Sequence, residues 1–523
     1  MHRFWTTMSV ILLAIAPAIV VGYPIARAMI DIASSIACDD DAFALTLSAS
    51  AWRGLFNTIW IAALIAIVAT TLGGIAGAAL GRARRGRAVA SLALAATLLA
   101  PSYLAYSSYG VLRGPGSWTG DWLARTAEQG AEWLPPFVWR ILAIGGVALW
   151  LAPLATAVVA IGVARVPRAL ADLAQTPAYR RGRLKRWIGL HRATLLTSLC
   201  LTAAIAAGSA IPLHLGQVET QSIVLWREQS LLLPERWHRA WLGAIPVCVV
   251  IAGLLLLAIR FGRGLASPQG TGARTDTPKP TAWLGPLAVI ALTLLIPLGL
   301  LAWSVRDWSI AETVWRVTRR SLRSSAVIAA WTGGGAIVLA ALSALAAWSR
   351  ARIPLVIAAV LFAIGFALPG TITGSVMATA WRPLRFISDT PAIVVLTHLA
   401  RFGVIAVAAG WWVVRREPPD LVDQRRLQDA EHLRGWVRLG LPRQWGILAA
   451  AGAVCAALSL HEIEAAVLVQ PPGPGSLAQQ LLGNLHYQRL DELAIAVLMV
   501  TGLGIALAAI AWGLTRAIGN RDS

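Results

Sequence analysis

Apolar runs longer than eighteen residues recur along the whole of this 523-residue sequence. About that length lets a helix cross a hydrocarbon core of about 30 Å. With 57% hydrophobic and only 13% charged residues, the chain cannot be a soluble globule and must be an all-α polytopic membrane protein. Twelve spans are expected. Six lie near 8–30, 55–80, 88–112, 137–162, 193–213 and 240–261, and six near 283–304, 324–348, 354–380, 391–414, 443–463 and 491–515. The first run follows Met1-His2-Arg3 and lacks a small-residue cleavage site, so it is expected to be a span and not a removed signal.

The formal charge of +20 would suggest nucleic acid in a soluble protein, but here the arginines gather in short connections. Residues 82–87, 165–192, 260–279, 350–352 and 415–443 are basic and alternate correctly to lie on one side, while Asp39-Asp40-Asp41, Asp121, Glu128, Glu132, Glu228 and Glu235 fall on the other. The positive-inside rule then puts both termini in the cytoplasm. One stretch runs against the pattern: Arg306, Arg316, Arg319, Arg320 and Arg323 fall on the outer side. Of the four cysteines, three sit in apolar runs and Cys38 in a loop, with no zinc or disulfide spacing.

Residues 266–282, rich in Pro, Gly, Ser and Thr, read as a cytoplasmic linker. It separates a first six-span half (1–265) from a second (283–523). The halves look like repeats, and paired repeats are how many transporters build a pathway. Asp172 opens a basic segment that ends nineteen residues on at Leu190-His191, and Asp423 opens one that ends at the same spacing with Leu441-Pro442. The second segment lies in the polar run 418–445. Leu421, Leu427, Ala430, Leu433 and Val437 recur there at roughly helical spacing, which predicts a short amphipathic helix outside the membrane, with Pro442 in the first turn of the next span. A solvated loop would have the same composition. Leu215-Gly216-Gln217-Val218-Glu219 also echoes Leu460-His461-Glu462-Ile463-Glu464.

These segments resemble the cytoplasmic coupling motif of binding-protein-dependent ABC importer permeases, Glu-Ala-Ala, three residues, Gly, then about nine residues to Ile-x-Leu-Pro. Asp423 matches the acidic start, Asp429 stands where the Gly belongs, and Leu441-Pro442 match the end. In the first half Asp172 and Ala174 match, Ala178 stands for the Gly, and His191 replaces the Pro. The stretch Ser459 to Leu468, with Pro471-Pro472-Gly473 and Leu485-His486-Tyr487, looks like the fused permeases of ferric iron importers. Asn57-Thr58 and Leu368-Pro369-Gly370 are typical of the wider superfamily. The resemblance implies a type I, MetI-like permease fold in a bacterial inner membrane, with a separate cytoplasmic ATPase and a periplasmic binding protein as partners. ATPase coupling would fall to Asp172, Ala174, Ala178, Leu190, Asp423, Leu427, Asp429, Ala430, Leu441 and Pro442. Thiamine, sulfate-type and phosphonate permeases share the layout, and a membrane-embedded transferase or a permease-like chain without an ATPase are the readings from other classes.

Arg401 falls about ten residues inside the tenth span. A guanidinium there needs a partner or water, which points to Glu462 or Glu464 and a charge pair on the translocation path. His461, Glu462, Glu464 and His486 make a poor metal set, because Glu462 and Glu464 are two residues apart and point to different helix faces. Neither metal nor cofactor is expected. Tryptophans near span ends, among them Trp118, Trp122, Trp133, Trp308, Trp411 and Trp412, fit interfacial belts, and Gly73-Gly74 and Gly333-Gly334-Gly335 suit close helix packing. No Gly-x-x-x-x-Gly-Lys-Ser/Thr loop exists, so ATP hydrolysis must come from another subunit and the chain is not itself expected to be an enzyme.

Overall fold

The computed structural model describes residues 2–38, 48–83, 86–114, 117–167, 182–231, 237–263, 283–415, 417, 419–428, 430–473, 475–487 and 489–519. Helices dominate, and no β-strand occurs among the described residues. In chain order those of nine residues or more are α1 (2–38), α2 (Ala49–Arg82), α3 (Arg87–Leu98), α4 (Ser102–Gly110), α5 (Trp118–Glu128), α6 (Leu134–Val163), α7 (Arg183–Gly208), α8 (Gln221–Leu231) and α9 (His238–Gly262). Next come α10 (Leu284–Ser304), α11 (Ala311–Trp348), α12 (Arg352–Ala367), α13 (Gly370–Trp381), α14 (Ala392–Arg415), α15 (Pro419–Leu427), α16 (Leu433–His461), α17 (Leu477–His486) and α18 (Leu490–Gly519).

Among the described residues ten helices are long and apolar enough to cross a membrane, or eleven if the bent pair α12–α13 counts as one span. The chain is a multi-pass membrane protein. The difference from twelve straight spans lies in the third and ninth. The expected span 88–112 is broken into α3 and α4, and 354–380 into α12 and α13, which meet at 114°. Each break has a proline in extended backbone at its second start, Pro101 (φ −55°, ψ 138°) and Pro369 (φ −52°, ψ 144°). Proline lacks the N–H that would continue the helix, so the chain turns there.

Two compact units form, and they do not follow chain order. One comprises Met1–Ser48, Leu225–Ala244 and Asp307–Ser523; the other comprises Ala49–Val224 and Ile245–Arg306. The first helix of each half thus packs with the later helices of the other half. In the first unit, Tyr23 of α1 donates a hydrogen bond to the Ala380 carbonyl of α13 (3.1 Å), and its ring centre lies 5.0 Å from that of Trp381. In the second, Tyr109 of α4 donates to the Leu292 carbonyl of α10 (2.8 Å).

The central pair of the second unit is α2 against α6. A Cβ on Gly73 would lie 2.7 Å from the Thr156 nitrogen, and one on Gly81 2.8 Å from Val163 Cβ, so a glycine at every fourth position lets the backbones touch. Residue numbers rise together along this contact, so the helices are parallel. The same holds in the first unit, where Gly335 of α11 meets Leu399 of α14 and Gly410 meets Ala340 and Ala344. Parallel neighbours require the chain to return to its starting end between them. That return is carried by α3–α4 in one unit and by α12–α13 in the other.

Three π-turns, Ala18–Gly22, Ala291–Leu295 and Trp436–Gly440, each end two residues before a proline: Pro24, Pro297 and Pro442. A proline ring clashes with the carbonyl four residues back, and in each case that carbonyl belongs to the widened turn. Pro442 is therefore carried inside a continuous helix, α16, that began at Leu433.

The arginines at 316–323 do not form a loop. They occupy the first turns of α11, a 38-residue helix about 57 Å long. That is nearly twice the thickness of the hydrocarbon core, so the basic turns overhang it.

Candidate functional site

At the end of the first unit where α11 and α14 finish and α16 begins, the chain makes a compact elbow. It differs from the single amphipathic helix expected over 421–437. Helix α15 stops at Leu427, His432 is extended (φ −122°, ψ 170°), and α16 starts one residue later. The break rotates the two pieces, so the five apolar residues do not share a face. Ala430 is buried, Leu421 and Leu433 are half-buried, and Val437 and Leu427 are exposed, the last at 89%.

What holds the elbow is a buried polar knot. Arg425 donates to Glu417 (2.9 Å), and both side chains are nearly covered. Gln444 of α16 donates to the other Glu417 oxygen (3.1 Å), and the Trp436 indole donates to Gln444 Oε1 (2.9 Å). The Trp348 indole at the end of α11 donates to the Ala430 carbonyl (2.8 Å), while the Arg425 guanidinium lies 4.2 Å from the centre of the Trp348 ring. Arg350 pairs with Glu431 at 3.3 Å. Two glycines make room: a Cβ on Gly440 would lie 2.7 Å from Trp436 and 2.8 Å from Trp348, and one on Gly435 would collide with the Ala430 carbonyl. Burial raises the Glu417 carboxyl above its usual value, against the pull of Arg425 and the Gln444 hydrogen bond. Burial likewise lowers Arg425, against Glu417. Both directions say that the scaffold imposes the pair at a desolvation cost.

The opposite face of the elbow is open. Asp420, Asp423, Gln424, Arg426, Leu427, Gln428, Arg434 and Arg438 are exposed there, with Asp423 and Arg426 paired at 3.2 Å. An exposed leucine ringed by charges of both signs, on a base wired to three long helices, can seat a protein partner and pass its motion inward. Of the residues expected to couple, the structure brings Asp423, Leu427 and Ala430 onto this elbow, with Ala430 facing inward. Leu441 is half-buried and Pro442 exposed at the start of the apolar part of α16. Leu190 lies half-buried in α7. Asp172, Ala174, Ala178 and Asp429 lie outside the described residues, as does the whole of the linker 266–282. Sequence reasoning missed Trp348, Glu417, Arg425, Trp436 and Gln444 as a set; the pair of glycines flanking Trp436 was the available signal.

A second polar cluster lies farther along the same helices, within α11 and α14 and at the close of α16. Arg401 of α14 donates to Glu462 Oε1 at 2.9 Å, with side chains 16% and 9% exposed, and the same oxygen accepts from the Ala465 nitrogen. Gly370, which opens α13 at the break, lies directly against Arg401 and Glu464, so no side chain fits there. His398 Nδ1 lies 2.6 Å from Ser459 Oγ, which reaches Thr332 at 3.4 Å. Arg401, Glu462 and Glu464 thus come together around the bent pair. The echo between 215–219 and 460–464 does not mark equivalent places, because the first stretch ends two residues before α8 and the second thirteen before α17. Beyond this cluster a cavity of about 590 Å³ opens between Arg382, Arg385, Asp389, Leu468 and Gln470. Among the described residues no three of His, Cys, Asp and Glu gather as a metal site.

No protein-family model matches this chain, and comparisons with curated proteins and with solved structures likewise find no match.

Proposed function

We propose that this chain is the membrane subunit of a binding-protein-dependent ABC importer, carrying both permease halves and counting twelve passages when each bent pair is one. The observation that supports this most is the elbow at 417–440: an exposed charged face around Leu427, fastened through Trp348, Glu417 and Gln444 to the ends of α11, α14 and α16. A separate cytoplasmic ATPase docks on Asp423, Leu427 and the surrounding charges, and its stroke is passed to those three helices. Asp172, Ala174, Ala178 and Leu190 serve the same role in the first half. The basic ends face the cytoplasm of a bacterium, with both termini there, and a periplasmic binding protein delivers substrate to the far side. Arg401, Glu462 and Glu464 line the path around the bent pair. Ferric iron is the proposed substrate, on the resemblance of 459–487; thiamine and oxyanions are the alternatives within the class.

The test is a photo-crosslinking amino acid at position 427 in cells, with the captured protein identified by mass spectrometry. The expected capture carries a Gly-x-x-x-x-Gly-Lys-Ser/Thr loop, and Asp423→Lys removes it without changing the amount of folded permease. Capture of no such protein, or equal capture in the variant, overturns the reading.

A further inference from the structure

The overhang of α11 lies at the end opposite the elbow and carries the arginines that break the charge pattern. One face of this overhang is covered. Val314, Thr318 and Ser325 are buried; Gln480 of α17 donates to Thr318 Oγ1 (2.8 Å), and Ser325 Oγ accepts from the Leu477 nitrogen (3.0 Å). The other face is bare. Arg316, Arg319, Arg320 and Arg323 are all exposed, and the pairing of Arg316 with Glu312 is loose at 3.8 Å. Arg319, Arg320 and Arg323 make no ion pair among the described residues.

The bare face continues down the helix without interruption. Residues 316, 320, 323, 327, 331 and 338 follow helical spacing, and Val327, Trp331 and Val338 are exposed, Trp331 at 70%. Residues 324–348 span about 37 Å, enough for a core of about 30 Å, so Arg323, Arg320 and Arg319 fall at the head-group layer and Arg316 lies farther out. Any occupant must therefore present negative charge at the top and hydrocarbon directly below it. A soluble acidic protein meets only the first condition. A phospholipid with a net negative charge meets both, and guanidinium forks match phosphate oxygens in geometry.

We propose that Arg319, Arg320 and Arg323 hold the phosphate of an anionic phospholipid whose acyl chains lie along Val327, Trp331 and Val338. The site depends on the membrane-spanning character of α11 alone and stands apart from the transport reading. It gives Arg319, Arg320 and Arg323 an occupant whose charge offsets theirs.

The purified full chain, titrated in detergent with phosphatidylglycerol or with phosphatidylcholine and read by native mass spectrometry, tests this. Wild type is expected to prefer phosphatidylglycerol by roughly 100-fold. The triple variant Arg319→Gln, Arg320→Gln, Arg323→Gln is expected to lose roughly 100-fold of that affinity, about fivefold per arginine, with phosphatidylcholine unchanged. The corresponding triple Lys variant retains more than the Gln variant. Equal affinity of wild type for the two lipids overturns the proposal without reference to any variant. So does equal phosphatidylglycerol binding by wild type and the triple Gln variant. An unchanged lipid preference in the Gln variant, with loss of binding to an acidic soluble protein, assigns the face to a protein and overturns it too.

Discussion

Gly435→Ala is the sharpest probe of how the elbow is held. A Cβ at this position would drive into the Ala430 carbonyl oxygen and lie 2.8 Å from its carbon. Carbon and oxygen rest at about 3.3 Å or more, so the carbonyl must retreat. That same oxygen accepts the Trp348 indole hydrogen bond at 2.8 Å, and Trp348 and Ala430 are both buried. Overpacking of this kind costs about 1–3 kcal/mol, and a stranded buried N–H about 1–3 kcal/mol. The two overlap, because moving the carbonyl relieves the first while causing the second, and the helix propensity of Ala returns up to about 1 kcal/mol. The net loss is therefore about 1–3 kcal/mol, felt locally. Hydrogen exchange of backbone amides in 419–440 should speed up about 5- to 150-fold, with α18 unaffected. Gly502→Ala is the control: a Cβ there meets nothing within 4 Å, so protection should hold or rise slightly. Unchanged exchange across 419–440 in Gly435→Ala would refute the claim that the Ala430–Trp348 contact fastens the elbow to α11.

The charged pairs give two further outcomes. Because burial raises the Glu417 carboxyl, the folded chain still holds a proton that the unfolded chain has released above 4.5. The stability Glu417 contributes is full below 4.5 and is lost as pH rises through the raised value. Melting temperatures of wild type and Glu417→Gln, taken from pH 4 upward, should show wild type losing ground to the variant as pH rises; a constant or growing advantage for wild type contradicts this. At the far cluster, Arg401→Met strands Glu462 and should destabilise by about 3–5 kcal/mol, while Arg401→Met with Glu462→Gln should recover most of the loss. A double variant as unstable as the single one shows that the pair is not what Arg401 contributes.

Much of the architecture was legible because hydrocarbon imposes it: a backbone in lipid must satisfy its own hydrogen bonds, so long apolar runs become helices. Pro101 and Pro369 were equally visible, but a proline can either end a span or bend it. Each lies too deep in its run to end a helix cleanly, and the chain bends. The exchange of α1 and α10 between units was not legible, since no local pattern says which helices Tyr23 or Leu292 will meet. The periodicity across 421–437 misled for a definite reason: an extended residue at His432 resets the helical phase, and spacing counted across it loses meaning. Arg425 read as one more surface charge, whereas its pair with Glu417 and its contact with Trp348 make it the buried centre of the elbow. The pairing of Arg401 with a carboxylate at 462 was accessible from sequence because few other partners lie within reach of a guanidinium in that span.

The claim on which the rest depends is that the elbow stands in the cytoplasm. Leu427→Cys, in a chain whose four native cysteines are replaced, places one thiol on the most exposed apolar side chain of the elbow. Treated with a membrane-impermeant maleimide, it should react in inside-out vesicles and stay unlabelled in intact spheroplasts. Labelling in spheroplasts, with none in inverted vesicles, would put the elbow outside the cell and contradict an ATPase-driven role for it.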